Sequence, residues 1–202
     1  MPTLPSEDIT DRINSIRLHP RLSVSTAFDV GGFALINIMN NAADTIQGLK
    51  NVLSEVFSGS FLLVGVGNAM RGDDAAGPML VEMLNDTPGI DCLDTGVAPE
   101  NYCEQIARHG ARTVILVDAM DFNGNPGEVR IFSPGEISSP GISTHGISLA
   151  PVCEYLKERF DPRIYIIGIQ AVTAGFDEKP GAATLNTIDK LARVIKEFNA
   201  DA

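Results

Sequence analysis

The chain has 202 residues, enough for one domain with a substantial core plus a smaller appendage, and too few for two ordinary domains of equal size. Its 26 acidic and 15 basic residues leave a formal charge of −11, which opposes contact with nucleic acid or an anionic membrane and favours proteins or cations as partners. No run approaches the roughly 20 apolar residues of a membrane helix, and the opening MPTLPSEDITD lacks the basic stretch of a secretion signal, so a cytoplasmic location is expected. Cys92, Cys103 and Cys153 are widely spaced with no CxxC pair, and read as buried thiols in a reducing compartment.

Residues 1–58 alternate short apolar runs with Asn, Ser and Pro and form a separate N-terminal extension. Ile46, Leu49, Leu53 and Val56, flanked by Val52 and Phe57, keep the spacing of an amphipathic helix. Phe33 to Met39 suits either a strand or a second helical face. The extension is expected to be mostly helical, an extra layer or a contact between copies of the chain, with a partner-docking arm as the alternative. His19 reads as a surface histidine.

From residue 59 to 202 strands and helices alternate. Phe61 to Gly67 carries no charge, as a strand covered on both faces should. The loop that follows has Gly67, Asn68 and Gly72, residues that take left-handed backbone angles cheaply, and it ends on Asp73 and Asp74 before a helical pattern at Leu80, Val81, Met83 and Leu84. A second strand near Ile90 to Leu93 runs into DTGVAPEN, where Pro99 opens a helix through Ile106. The third strand, TVILVDA, ends at Asp118. After the turn Asn123-Gly124-Asn125-Pro126, the segment Gly127 to Ser133 sets Val129 and Ile131 against Glu128, Arg130 and Phe132, and so brief a connection implies an antiparallel edge strand. A helix from Leu149 to Phe160, with Ser148 as its cap and Pro151 in its first turn, precedes a strand over Arg163 to Gln170. The last helix aligns Ile188, Leu191, Ala192, Ile195 and Phe198. The fold class is therefore α/β: a three-layer αβα sandwich around a mostly parallel sheet of about five strands, one of them an antiparallel edge, with the helical extension added in front.

Asp74 beyond the first strand, Asp118 at the third and His145 in the loop STHGIS fall at one edge of this sheet, the carboxyl edge where open α/β folds bind ligands. Two carboxylates and an imidazole suit a borderline divalent ion such as Zn²⁺ or Ni²⁺, and three ligands leave coordination positions free. Each residue also has an ordinary explanation: Asp74 as a helix cap, Asp118 as a strand-end acceptor, His145 as a loop histidine under a turn. Asp73 competes with Asp74, and spacing does not choose between them. Met70 and Arg71 line the loop, whereas Met79, Met83 and Met120 read as core. A dinucleotide site is a rival reading, with Asp94 near the place of a ribose-binding acid, but Gly65, Gly67 and Gly72 do not match the fingerprint, which wants glycine where Met70 stands.

Four segments, LLVGVGNAMRGDDAAGP, DTGVAPEN, VILVDAMDFNGNPGEVRIFSP and STHGISLAPV, with IYIIGIQ behind them, resemble the hydrogenase maturation endopeptidases that trim the C-terminus of the nickel-iron hydrogenase large subunit. The PEN in DTGVAPEN makes the formate hydrogenlyase branch the most similar. The resemblance implies a metal held by Asp74, Asp118 and His145, and a substrate-recognition loop at Asp94, Thr95 and Gly96. It implies that the nickel arrives in the precursor and is not a resident cofactor, with Zn²⁺ or Cd²⁺ able to occupy the same site. The bond cut would follow a basic residue just beyond the last nickel-binding cysteine motif. Two chemistries fit: water activated beside a positioned metal, which we favour, or Asp74 and Asp118 sharing a proton across a water as in aspartic proteases. Family members usually begin close to the first strand, so residues 1–58 are a departure and a place for self-association. A chaperone that binds nickel or precursor without cutting is the alternative function.

Overall fold

A computed structural model describes residues 56–200 except 58, 139–140, 145–148 and 174. Of the N-terminal extension only Val56 and Phe57 are among them; both are buried, and the Phe57 ring meets Phe61 edge-on at 5.0 Å. The remainder of the extension, with the expected helix over Ile46 to Val56, lies outside the described residues, as do His145 and Ser148.

The sheet contains β1 (Phe61–Gly65), β2 (Asp91–Asp94), β3 (Thr113–Asp121), β4 (Val129–Phe132), β5 (Ser143–Thr144) and β6 (Arg163–Gln170). Their order is β2-β1-β3-β6-β4, and the short β5 pairs with the far end of β3. β1, β2, β3 and β6 are mutually parallel; β4 runs antiparallel to β6. The brief connection from β3 to β4 does not make a hairpin, because β6 inserts between them. β3 is also longer than the sequence suggests, since it continues past Asp118 to Asp121.

Alternation along the strands divides the core. Leu63, Ile115, Val117, Ile167 and Ile169 face α1 (Ala76–Leu84) and α4 (Ala182–Ala200), where Leu80, Leu84, Ile188, Leu191 and Ile195 receive them. Leu62, Val64, Val114, Leu116 and Ile166 face α2 (Cys103–His109) and α3 (Ala150–Phe160) through Ile106, Val152 and Leu156. The handedness of parallel crossovers explains the division. β1 steps one way to β2 with α1 on one face, then β2 steps back across β1 to β3, and a right-handed crossover must place α2 on the other face. The reversal leaves a crevice beyond the carboxyl ends of β1 and β3, where ligands bind in open sheets.

Cys92, Cys103 and Cys153 are free. Burial, reinforced by Cys103, pushes the Cys153 thiol up to about 12, as expected of an inert core thiol. No helix among the described residues is long and apolar enough to cross a membrane.

Candidate active site

Two glycines bring α1 onto the crevice. A Cβ on Gly77 would lie 2.3 Å from the Val66 carbonyl and 2.5 Å from that of Val117, and one on Gly65 would lie 2.6 Å from the Gly77 carbonyl. Only a bare backbone lets the first turn of α1 rest on the ends of β1 and β3. Before it, Gly72 to Ala75 form a 3₁₀ turn. Gly67, at φ +128°, folds back so closely that a Cβ would sit 2.0 Å from the Asp74 carbonyl. Asn68, in contrast, is not among the described residues with positive φ.

The adjacent acids do different work. The Asp73 Oδ2 accepts the backbone N–H groups of Val172 at 2.8 Å and Thr173 at 2.9 Å, and its Oδ1 accepts that of Gly181 at 2.7 Å. Burial alone would raise its carboxyl, but these backbone donors and the Thr184 hydroxyl outweigh burial and hold it below the ordinary carboxylate value. Asp73 is thus a clamp between the loop after β1 and the loop after β6. Asp74 makes no helix cap; its Oδ2 accepts the Asn68 N–H at 3.1 Å.

Asp118 is 3% exposed and Asp74 6%. Burial first, and the neighbouring Asp74 charge second, push the Asp118 carboxyl well above the ordinary aspartate value, although the Ala119 N–H draws it partly back. Asp118 is therefore not a strand-end acceptor but a mid-strand acid beside a second acid. The register explains the encounter: Gly65, the last residue of β1, pairs with Val117, so Asp118 is the first residue of β3 that β1 leaves uncovered. Among the described residues no cluster of three or more His, Cys, Asp or Glu forms. His145 lies outside them; Thr144, the residue before it, pairs with Met120, two residues along β3 from Asp118.

The loop after β2 borders the same crevice. Gly67 donates to the Gly96 carbonyl at 2.9 Å, joining it to the loop that carries Asp74. Within it Thr95 is buried and its hydroxyl donates to the Gly65 carbonyl at 2.8 Å, while Asp94 Oδ1 accepts the Gly96 N–H at 2.9 Å in an Asx turn. Thr95 and Asp94 shape the loop, and Val97 is its exposed apolar residue. The helix mouth that would cradle a pyrophosphate carries the Asp73 and Asp74 carboxylates instead.

Sequence reasoning missed two supports. Gln170, at the end of β6, accepts the N–H groups of Phe122 at 3.0 Å and Gly124 at 2.9 Å through Oε1, and its Nε2 donates to Asp121 Oδ1 at 3.1 Å. It holds the turn that follows β3. Glu128 is 1% exposed and binds Arg130 at 2.8 Å while accepting the Asn125 N–H at 2.9 Å. A polar residue closing an otherwise apolar strand was the available signal for Gln170; Arg130 two residues on, at same-face spacing, was that for Glu128.

A family model described as hydrogenase maturation protease matches residues 78–195, more than half of the chain. The chain is 38% identical over 118 residues to the hydrogenase 3 maturation protease of Escherichia coli K12, covering 57% of this chain and 75% of that one. The crystal structure of the [NiFe] hydrogenase maturation protease HycI from Thermococcus kodakarensis KOD1 superposes with a TM-score of 0.68 at 36% identity, over 74% of this chain and 99% of that one. The solution structure of the endopeptidase HycI from Escherichia coli gives 0.63 at 29% identity, over 69% and 91%. With the αβα sheet, its switch-point crevice and the family match coinciding in one domain, the chain belongs to the hydrogenase maturation proteases and is a peptidase.

Proposed function

We propose that this peptidase removes the C-terminal extension from the nickel-loaded large-subunit precursor of a nickel-iron hydrogenase, with Asp74, Asp118 and His145 completing the coordination of the substrate's nickel. The observation that supports it best is the burial of Asp118 beside Asp74, which pushes the Asp118 carboxyl up. Two like charges taken out of water repel each other, and a cation between them removes that penalty. Nickel carried by the substrate would then be both the recognition key and the anchor that fixes the neighbouring peptide bond. Zn²⁺ or Cd²⁺ would compete for the same donors.

In the hydrolysis, a water oxygen bonds to the amide carbon and one of its protons passes to a carboxylate. Either carboxylate of the pair, Asp74 or Asp118, stands where it could accept that proton. The proton then moves to the leaving nitrogen as the C–N bond breaks. Asp74, oriented by the Asn68 N–H, holds its position beside that exchange. Asp94, Thr95 and Gly96 would flank the substrate at the neighbouring loop, which Gly67 ties to the catalytic one.

Incubation with a nickel-loaded precursor should shorten the large subunit in a mass spectrum, and nickel-free precursor should stay intact. Asp74→Asn, Asp118→Asn and His145→Ala should each leave the precursor at full length. Normal cutting by all three variants would overturn the site. Retention of precursor without shortening would show a binding role instead of proteolysis.

A further inference from the structure

Seven large apolar side chains among the described residues are exposed, and four of them, Met70, Val97, Val172 and Phe176, stand on loops at the carboxyl edge around Asp74. These are also the four most exposed, at 54–71%, whereas Met83, Tyr155 and Leu185, at 38–42%, lie on helices. Backbone hydrogen bonds hold the loops together as one rim. The Asp177 N–H donates to the Met70 carbonyl at 2.8 Å, Gly72 donates to Glu178 at 3.0 Å, and Gly67 donates to Gly96, beside Val97, at 2.9 Å. The Asp73 clamp takes the Val172 N–H itself. Exposed apolar residues scattered singly are ordinary, but a cluster fixed around a catalytic crevice marks a docking surface.

We propose that Met70, Val97, Val172 and Phe176 form a preorganised apolar rim that docks an apolar surface of the folded protein substrate and so delivers its scissile segment to Asp74 and Asp118. This rests on the peptidase reading above. A protein substrate is the occupant we assign, since the matched family is one of proteases and the rim loops are bonded to the loop that carries Asp74. A segment of this chain seated there would block entry. Because the loops are already bonded to one another, docking orders little backbone and more of the apolar contact survives as affinity.

The test measures binding and cutting separately. In an Asp118→Asn background, which leaves the precursor whole, calorimetric titration with nickel-loaded precursor should give a Kd about tenfold or more weaker after Val172→Ser with Phe176→Ser, and Met70→Ser should weaken it further. In the active enzyme the same changes should raise KM by a larger factor than they lower kcat. Met83→Ser, which changes an exposed apolar residue at the end of α1 away from Asp74, should leave Kd and KM within about twofold. Equal Kd for rim and remote variants would overturn the rim while leaving the peptidase standing. Rim-dependent binding with no cutting by the wild type would do the reverse. Should the Asp118→Asn protein, which lacks one of the proposed nickel ligands, bind no precursor, the KM comparison in the active enzyme decides: equal KM for rim and remote variants would overturn the rim, and no cutting by the wild type as well would overturn both.

Discussion

Replacing Asp73 by Ala removes an acceptor that three backbone N–H groups share: Val172 and Thr173 on one oxygen, Gly181 on the other. Each orphaned donor costs about 1–3 kcal/mol when buried. These donors sit at a loop edge where water can reach part of the gap, so the low end applies and the total is roughly 3 kcal/mol. For a domain of this size 1 kcal/mol moves Tm by roughly 3 °C, so Asp73→Ala should melt about 10 °C lower. Asp73→Asn keeps one oxygen for the Val172 and Thr173 donors but turns its amide toward Gly181, and should lose about half as much. The sign with pH follows from the lowered Asp73 carboxyl. The unfolded group titrates near 3.9 and the folded group below that, so the carboxylate stabilises the fold above about pH 4, and that contribution disappears as pH falls through the lower folded value. The gap in Tm between wild type and Asp73→Asn should therefore be constant from neutral pH to about pH 5 and close in acid. Asp74→Asn, one residue on, should abolish cutting with no such loss of stability, because it removes a charge that faces another acid. Calorimetric scans across pH with a cleavage assay well below Tm decide it. An Asp73→Ala protein that melts with the wild type yet cannot cut would refute this division of labour.

Asp118→Asn should lose activity and gain stability at neutral pH in the absence of metal. The folded carboxyl holds its proton to a higher pH than the unfolded one, so wild-type stability falls as pH rises from about 3.9 through the raised folded value, and the neutral variant escapes that fall. Equal Tm for the two proteins at pH 7 would contradict it. Gly77→Ala should destabilise by about 1–3 kcal/mol and displace the loop bearing Asp74, because its Cβ meets two backbone carbonyls that cannot move aside; cutting should fall even well below the new Tm. Gln170→Leu strands the Phe122 and Gly124 donors and should cost about 2–4 kcal/mol, read as a lower urea midpoint at unchanged slope.

Much of this protein is written locally. The uncharged runs of β1, β3 and β6 were legible as central strands because a strand covered on both faces has no room for charge, and the spacing of Ile188, Leu191 and Ile195 shows α4 in any window of sequence. The candidate acids were legible too, since Asp74 follows β1 and Asp118 breaks the apolar run of β3 at the same sheet edge. Long-range contacts decided the rest. Asp73 and Asp74 are chemically identical neighbours, and only the return of the chain a hundred residues later, at Val172, Thr173 and Gly181, commits one to the scaffold and leaves the other beside Asp118. The insertion of β6 between β3 and β4, the burial of Glu128 and the anchoring by Gln170 have the same origin. A side chain's partner across the fold is set by how layers pack and how strands register, and neither is encoded in the residues on either side of it.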